Sequence, residues 1–511
     1  MTLPHSPWLL AATAGAVTAT AIAVAYQPFL ALTAAVASMV ISLLLSERSR
    51  LPRLFLITLG ALLTGYAFLG RGFAYLRAPP VFVGEVVLGF GLFALAVGGG
   101  LGSALRSPVG WLLVLFALDG ALRTGPYLRE YGLTALRDAA IWGYGAFALM
   151  VAGSVFRSRC FWSVIQHYSR WVGWFVLWAP LAFVFQMLAR DWLPVVWQGS
   201  FAVTLPSLRA GEVAVHLGGA GCFLALGLHR FATPRMTVPT ALKEWVWWSA
   251  CLSGAFLAAT KARGALLAIL AAFVLVLLFG PLHTWGKPVA ASVVLAGVLF
   301  ALNVVVRTPT PREISLDQFV VNLRSVMSVR AEQFSEESRA WRLEWWGKII
   351  DYTLWGEYFW KGKGFGVNLA DEDGFQVTAD HSLRSPHNSH LTILARMGVP
   401  GFAMWVLLQG AFALSLVRAY FRARRARQDW WAHVNLWILA YWTAFIVNGM
   451  FDVFLEGPQG GIWFWCLFGF GIAALETQKR ERRAWAIEQR GASLSYLESL
   501  SRSQPLPAAR R

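Results

Sequence analysis

Long apolar segments alternate with short polar ones along almost the whole chain. Most of these segments approach the roughly 20 residues that a helix needs to cross a bilayer. Continuous apolar runs predict transmembrane helices, whereas a membrane β-barrel would show shorter, alternating segments. The pattern predicts about fourteen spans, at residues 8–25, 28–45, 54–70, 82–104, 108–122, 138–156, 171–188, 212–229, 244–260, 264–280, 289–306, 390–416, 431–450 and 461–476.

The polar loops between these spans predict the orientation of the chain. Every second loop is short and basic, which the positive-inside rule assigns to the cytoplasm. The densest clusters are residues 418–428 and 479–483. Both termini are then expected to be cytoplasmic. The first segment, 8–25, is interpreted as a retained helix, because its flank lacks Lys and Arg and a second apolar run follows at once.

One loop, residues 307–389, differs from the others in length and charge. It carries ten Lys and Arg against twelve Asp and Glu, so it lacks the cytoplasmic bias, and long loops cross membranes largely regardless of charge. "EESRAWRLEWWGKIIDYTLW" predicts an amphipathic helix, and "KGKGFGVNLADEDGF" predicts Gly-rich turns. The hydrophobic face of the helix is formed by Trp341, Trp345, Ile349 and Tyr352.

These patterns divide the chain into four parts and define an all-α polytopic membrane protein. Residues 1–306 contain transmembrane helices 1–11, and residues 307–389 form a large, partly helical periplasmic loop domain. Residues 390–476 contain transmembrane helices 12–14, and residues 477–511 form a basic cytoplasmic tail. No internal repeat is evident, which disfavours a transporter built from inverted repeats.

Composition agrees with this class. Of the residues, 57% are hydrophobic and only 14% are charged, against about 25% charged in soluble domains. The net charge of +17 lies in the short loops, where it sets topology, so nucleic acid is not an expected partner. The cysteines show neither metal-ligand spacing nor a disulfide framework. They are Cys160, Cys222, Cys251 and Cys466.

At the end of the large loop, His387-Asn388 is followed by Gly398 and Gly401. This pattern resembles the histidine signature of the O-antigen ligase and polymerase superfamily. "ATKARGALLAI" resembles the family's Ser-Arg-Gly span entrance, with Ala262 in place of serine. "ESRAWRLEWWGKII" with "GKGFG" resembles the Arg…Trp…Gly-x-Gly stretch of the family's loop. "ALRDAAIWGYGAFALMV" is similar to a family segment less specifically.

This resemblance implies an inner-membrane glycosyltransferase with a GT-C-like architecture. Members of the family transfer a glycan from an undecaprenyl-pyrophosphate-linked donor to an acceptor hydroxyl. The expected partners are therefore this donor, a glycan or lipid acceptor, the bilayer, and a chain-length regulator or other polysaccharide assembly proteins. A site of this kind needs fixed positive charge for the pyrophosphate and a base for the acceptor, and no cofactor is predicted. The fourteen spans favour a polymerase of repeat units, with a ligase to lipid A–core or another acceptor as the alternative.

The matching positions supply the site residues. His387 is the candidate general base, because neutral imidazole is available near pH 7. Helical periodicity predicts that Gly398 and Gly401 lie on its face and allow a helix or lipid tail to approach closely. Asn388 and His390 are candidate substrate-binding residues. The alternative for this group is an interfacial histidine and a helix cap.

The basic candidates are Arg263 and Arg339, with Lys261 and Arg342 as further substrate ligands. An arginine fork can donate two parallel hydrogen bonds to phosphate oxygens. The alternative for Lys261 and Arg263 is that their side chains extend to the membrane interface. The alternative for Arg342 is an ion pair with Glu336 or Glu344. Other polar features are interpreted structurally: Arg137-Asp138 as an ion pair and His381 as a loop residue.

Two other features have competing interpretations. "DED" at 371–373 fits the Asp-x-Asp pattern of metal-dependent glycosyltransferases, but acidic residues in a Gly-rich turn more often face water, so no metal site is predicted. The loop tryptophans could stack on sugar rings, although a core role is favoured for most of them. They are Trp341, Trp345, Trp346, Trp355 and Trp360.

Two other classes of function remain open. A transporter or flippase of lipid-linked sugars would place charged residues through the bilayer interior and use broken helices in related halves. A scaffold for polysaccharide assembly would not need the histidine and arginines. The candidate residues instead gather at one end of the predicted spans, which favours the transferase.

Overall fold

The computed structural model describes residues 48–78, 81–198, 202–232, 240–306, 313–327 and 333–503. The predicted spans 8–25 and 28–45 lie outside these residues. The described part is a bundle of α-helices. Those of ten residues or more are α1 (Leu51–Leu69), α2 (Val83–Gly98), α3 (Pro108–Thr124), α4 (Leu133–Gly143), α5 (Gly145–Ser158), α6 (Phe161–Leu188), α7 (Ala210–Ala225), α8 (Thr240–Lys261), α9 (Arg263–Phe279), α10 (Gly286–Ala301), α11 (Leu316–Met327), α12 (Gln333–Ile350), α13 (Ser389–Arg425), α14 (Asp429–Gly449) and α15 (Pro458–Ser503).

Short elements connect these helices. Two small antiparallel hairpins pair Arg77–Ala78 with Val81–Phe82, and Val195–Gln198 with Ala202–Thr204. A π-helical turn, Asp351–Trp355, extends α12. The short helices are Arg71–Ala74, Leu101–Ala104, Leu128–Tyr131, Leu228–Ala232 and Leu369–Asp373, and the 3₁₀ turns are Gly125–Tyr127, Arg190–Trp192 and Leu282–Trp285.

Each of the twelve predicted spans within the described residues coincides with helical structure, which confirms an all-α membrane protein. Among the residues that the structure describes, five helices are long and apolar enough to cross a membrane, and a sixth span results if α4 and α5, bent by 45° at their junction, count as one. The total of fourteen spans and the side on which the loop lies stay predictions. Helix α13 continues past the predicted end at residue 416, and α15 continues far past residue 476.

The helices differ in how they use their apolar surface. The apolar window of α15 is 83% buried, so this helix lies in the centre of the bundle, whereas that of α10 is 11% buried. On α10, Val293 is 67% and Phe300 78% exposed. In a membrane such a face contacts lipid, and its burial comes from the bilayer rather than from protein.

The loop region has a hydrophobic core of its own, as the sequence predicts. Trp345 and Ile349 of α12 are fully buried, and they pack with Leu369 and with Leu394 of α13. Trp341 and Tyr352 pack against the same cluster. The amphipathic helix is therefore confirmed, and its apolar face holds the loop region against the start of α13.

A break in α13 corrects the predicted geometry of the histidine motif. Helix α13 begins at Ser389, so His387 lies before it with φ of 52°, and Gly398 interrupts the helix with φ of 67°. The prediction that Gly398 and Gly401 share a helical face with His387 is wrong. Pro400 has no amide hydrogen to donate to the Arg396 carbonyl one turn earlier, and Gly398 adopts a left-handed backbone conformation that favours glycine. Uninterrupted periodicity therefore does not apply here.

The break lets loop backbone reach the helix. The carbonyls of Ala395 and Arg396 are released from helical bonding and accept hydrogen bonds from the amides of Lys363 and Gly364, at 2.7 and 3.1 Å. The amide of Val399 donates to Phe359 at 2.8 Å. The sequence predicted that a helix or a lipid tail would approach Gly398 closely. In the structure, the backbone of loop residues 358–362 lies against Gly398 instead.

Candidate active site

His387 lies beside an acidic residue that sequence reasoning missed. Its Nδ1 is 3.9 Å from Oδ1 of Asp452, which follows α14. Ser389, at the start of α13, donates a hydrogen bond from its hydroxyl to the Asp452 carbonyl at 3.2 Å, which fixes the two segments together. Trp346 of α12 donates to the carbonyl of Pro386 at 2.8 Å. The position of His387 is thus set by α12, α13 and the segment after α14.

Asp452 is held in its ionised form. Burial raises the pKa of its carboxyl, but contact with His387, the charge of Arg209 and the Val453 amide together lower it below the usual range. The Val453 amide donates to Oδ1 at 2.8 Å. A carboxylate beside an imidazole can orient the ring and stabilise its protonated form. The segment "FDVFLEG" gave one signal for this role, an acidic residue directly after an apolar span.

Arginines from separate segments converge on the same place. Arg263 begins α9 and lies within electrostatic range of both Arg339 and Arg342 of α12. Gly264 packs against the side chain of Phe451, and Arg342 donates from its guanidinium to the Phe451 carbonyl at 3.5 Å. The histidine, Asp452 and these arginines therefore form one group at one end of the bundle.

Arg342 carries a partly buried charge in this group. Burial lowers the pKa of its guanidinium most, the nearby Arg263 lowers it further, and Asp452 opposes this change. Its Nε is buried without a hydrogen-bond partner among the described residues. The contact observed for Arg342 is the one with the Phe451 carbonyl, not the alternative surface pair with Glu344. The side chain of Glu336 lies outside the described part of the chain. The arrangement leaves donors available to an anion.

The break between α8 and α9 positions Arg263 and Lys261. Ala262 has an extended backbone, with φ of −144°, and separates the two helices. Asn322 of α11 donates to the carbonyls of Ala259 and Thr260, at 2.8 and 3.0 Å, and so satisfies groups that the helix end exposes. Lys261 ends α8 at this break and is half-buried.

The contacts of His390 and Asn388 favour structural roles. Trp405 donates to Nδ1 of His390 at 3.1 Å, and its Nε2 lies 3.0 Å from the Ile446 carbonyl. Both ring nitrogens are therefore occupied within the protein. Asn388 Oδ1 accepts from the amides of His390 and Leu391, at 3.0 and 3.1 Å, as the N-cap of α13.

The acidic "DED" segment ends the short helix Leu369–Asp373 rather than forming a turn, and both of its aspartates have contacts within the protein. Asp373 is buried and accepts hydrogen bonds from Trp345 Nε1 at 2.6 Å and from Lys363 Nζ at 2.6 Å. Asp371 lies 2.7 Å from His381, which is an exposed loop residue as predicted. Within the described ranges, no three His, Cys, Asp or Glu side chains form a group that could hold a metal ion.

A buried ion network fixes the loop to the bundle near His387. Asp138 of α4 accepts from the Gly366 amide at 2.9 Å and pairs with Arg384 and Arg396, each at 3.0 Å. The predicted pair between Arg137 and Asp138 is wrong: Arg137 is exposed, and the buried carboxylate is used by residues distant in sequence. Such a network stabilises the segment that leads into His387.

The loop tryptophans divide into buried and exposed groups. Trp345 is fully buried and Trp341 packs beside it, which confirms the core interpretation for these two residues. Trp346 is tied to Pro386. Trp355 and Trp360 are 84% and 71% exposed, so they could contact sugar or lipid.

The fold and this histidine–aspartate–arginine group define a multi-pass membrane protein with a polar site at one end of its helices. Residues 248–406 match the family model described as O-antigen ligase. This match confirms the resemblance for that segment, which is less than half of the chain. The matched segment contains all seven predicted site residues, whereas Asp452 and Arg209 lie outside it.

Comparison with curated proteins finds no significant match. The family match supports a glycosyltransferase of the O-antigen ligase or polymerase type. The family also implies lipid-linked glycan substrates and a membrane environment.

Proposed function

We propose that this protein transfers a glycan from an undecaprenyl-pyrophosphate-linked donor to an acceptor hydroxyl, at the periplasmic side of the bacterial inner membrane. The observation that carries the proposal is the convergence of Arg263, Arg342 and His387 with Asp452. These residues come from four segments that are far apart in sequence. The positive charges of the arginines and the base His387 therefore lie where a single substrate can contact both.

The arginines are suited to the pyrophosphate of the donor. Placing Arg263, Arg339 and Arg342 together costs electrostatic free energy, which an anion would recover. A pyrophosphate offers several oxygens to such donors, and guanidinium groups can bind phosphate oxygens through two parallel bonds. The same contacts would stabilise negative charge as it develops on the leaving group.

His387 and Asp452 are suited to activate the acceptor. The acceptor hydroxyl would attack the anomeric carbon while its proton passes to the His387 imidazole. The bond from that carbon to the pyrophosphate oxygen breaks, and undecaprenyl pyrophosphate leaves with the electron pair. Attack opposite the leaving group inverts the anomeric configuration. Asp452 would hold the imidazole in place and stabilise its protonated form.

Within this class, polymerisation of O-antigen or exopolysaccharide repeat units is the first form we propose, on the basis of the fourteen predicted spans. The alternative is ligation of a finished chain to lipid A–core or another acceptor. A chain-length regulator or other polysaccharide assembly proteins would be partners of the first form. We propose that neither form requires a divalent metal, because cations and a base meet both chemical needs. A transporter of lipid-linked sugars remains the alternative of another class.

Arginine substitutions in a purified transfer assay test the function. Arg263→Ala, Arg339→Ala and Arg342→Ala should each lower turnover, by about 10²–10³-fold for a charge that contacts the leaving group. Arg263→Lys should recover part of the loss, since a point charge replaces a fork. The matched control is Arg129→Ala, which removes an exposed arginine from a short helix outside this group.

Two results would contradict the proposal. Full transfer activity in all three alanine variants would remove the arginines from the site. Loss of activity in EDTA with recovery in magnesium or calcium would overturn metal independence. A transporter would instead move lipid-linked sugar across vesicles without forming a new glycosidic bond.

A further inference from the structure

A partly open cavity lies at the end of the bundle away from His387. Its volume is about 440 Å³, and Arg427, Trp430, Trp431 and Arg482 contribute to its lining. After its break at Gly398, helix α13 continues for 27 residues (425 − 398) to Arg425, two residues before Arg427, and this part is on the order of 40 Å long. That distance exceeds the roughly 30 Å hydrocarbon core of a bilayer. The cavity therefore lies at the opposite membrane boundary from the candidate active site.

The acidic residues in the lining are occupied by donors from the protein. Glu481 accepts from Trp162 Nε1 at 2.9 Å through one carboxylate oxygen and from Trp431 Nε1 at 3.0 Å through the other. Asp429 pairs with Arg424 at 3.5 Å. Both carboxylates therefore have partners other than the arginines of the cavity.

The two arginines of the lining have no such partners. Arg427 and Arg482 are exposed, and no hydrogen bond or ion pair from either side chain is found to any residue that the structure describes. Arg427 has φ of 52°, and the amide of Gln428 turns back to the Ala423 carbonyl at 2.9 Å. This left-handed turn, where glycine is usually favoured, ends the helical segment and holds Arg427 at the cavity.

The surroundings of the cavity favour a lipid over a free ion. Trp430 is half-buried in the lining, and its ring lies 5.4 Å from that of Trp162. Phe421, in the last turns of α13, is 45% exposed. Tryptophan is enriched at the headgroup level of membranes, where apolar and polar surfaces meet. A molecule with an anionic head and apolar chains would match both kinds of surface.

We propose that this cavity binds the phosphate group of an anionic phospholipid from the adjacent leaflet. Arg427 and Arg482 donate hydrogen bonds to the phosphate oxygens, and Trp430 contacts the glycerol region. Basic pockets between transmembrane helices recognise headgroups through this chemistry. The site is separate from glycan transfer and does not depend on the function proposed above.

The test is lipid binding to the purified full-length protein, measured by native mass spectrometry with phosphatidylglycerol as the probe. Arg427→Gln and Arg482→Gln should each weaken binding about fivefold, and the double variant more than tenfold. The matched control is Arg425→Gln, an exposed arginine at the same helix end outside the cavity lining. It should change binding by less than about twofold, since it is held outside the cavity.

Three results would overturn the proposal. An equal loss in Arg425→Gln would mean diffuse attraction by the basic surface. Equal binding of phosphatidylcholine would show that the anionic headgroup is not recognised. Displacement of the lipid by millimolar inorganic phosphate would assign the cavity to a free ion. Retained folding of the glutamine variants is checked by their thermal unfolding midpoints.

Discussion

Replacing Asp452 with asparagine tests whether its charge supports His387. The amide has nearly the same shape and can still accept the Val453 amide hydrogen bond, which is 2.8 Å long in the native protein. The Ser389 hydroxyl bonds the backbone carbonyl of residue 452, so it is unaffected. The substitution therefore removes the negative charge while leaving the segment in place.

The magnitude follows from the distance between the two side chains. Oδ1 of Asp452 lies 3.9 Å from Nδ1 of His387, with the side chains 30% and 32% exposed. Opposite unit charges about 4 Å apart attract by about 1 kcal/mol in water and about 4 kcal/mol at an effective dielectric constant near 20. Because both side chains are partly solvated, we expect a loss of about 1–3 kcal/mol. This corresponds to a decrease in kcat of about five- to 150-fold.

The assay is steady-state transfer by the purified protein, with kcat and the KM for the donor measured separately. Asp452→Asn should lower kcat and leave the donor KM within about twofold, because the arginines that would bind the donor are unchanged. The control is Asp351→Asn, which neutralises an exposed carboxylate in the loop region. An unchanged kcat, or a rise in donor KM alone, would refute the positioning role.

Three further predictions concern stability. The folded-state pKa of Asp452 lies below its usual range, so its charge stabilises the folded state above about pH 4. This contribution should be lost as the pH falls through the folded pKa, so the free energy of unfolding of Asp452→Asn should depend less steeply on pH in this range. Asp138→Ala should destabilise the protein by about 3–5 kcal/mol in thermal unfolding, because Arg384 and Arg396 lose their buried counter-charge. The control Arg137→Ala, at an exposed neighbouring residue, should cost less than about 0.5 kcal/mol. Gly398→Ala should cost at least 1–3 kcal/mol, since a side chain would meet the loop backbone at positive φ; Gly410→Ala, in open space on the same helix, should be neutral or stabilising in the same measurement.

Hydrophobic patterning was enough to locate the apolar helices within the described residues, because each span depends mainly on local composition, but it did not predict α11 in the loop. It located the break between α8 and α9 as well, since Lys261 and Arg263 interrupt an apolar run there. It failed at α13, where periodicity was carried through "GVPG" although Pro400 and Gly398 signal a break. Because the helix is broken at Gly398, the spacing of His387, Gly398 and Gly401 in the sequence does not show that they lie on the same helical face.

The site was predictable only in part. His387, Arg263 and Arg342 were found because they belong to local motifs that resemble a family. Asp452 and Arg209 are charged residues next to spans, and only tertiary packing brings Asp452 beside the histidine and Arg209 into electrostatic range of Asp452. The partners of Asp138 were missed for the same reason, because Arg384 and Arg396 lie more than 240 residues later in the chain.

The central claim is that His387 takes the proton from the acceptor, and transfer by His387→Ala tests it most directly. Turnover should fall by about 10²–10⁴-fold while donor binding is retained. His381→Ala, which removes an exposed loop histidine, should keep its turnover, and His390→Ala should lose mainly stability because it leaves buried partners of residue 390 unpaired. Near-normal turnover of folded His387→Ala would contradict the account.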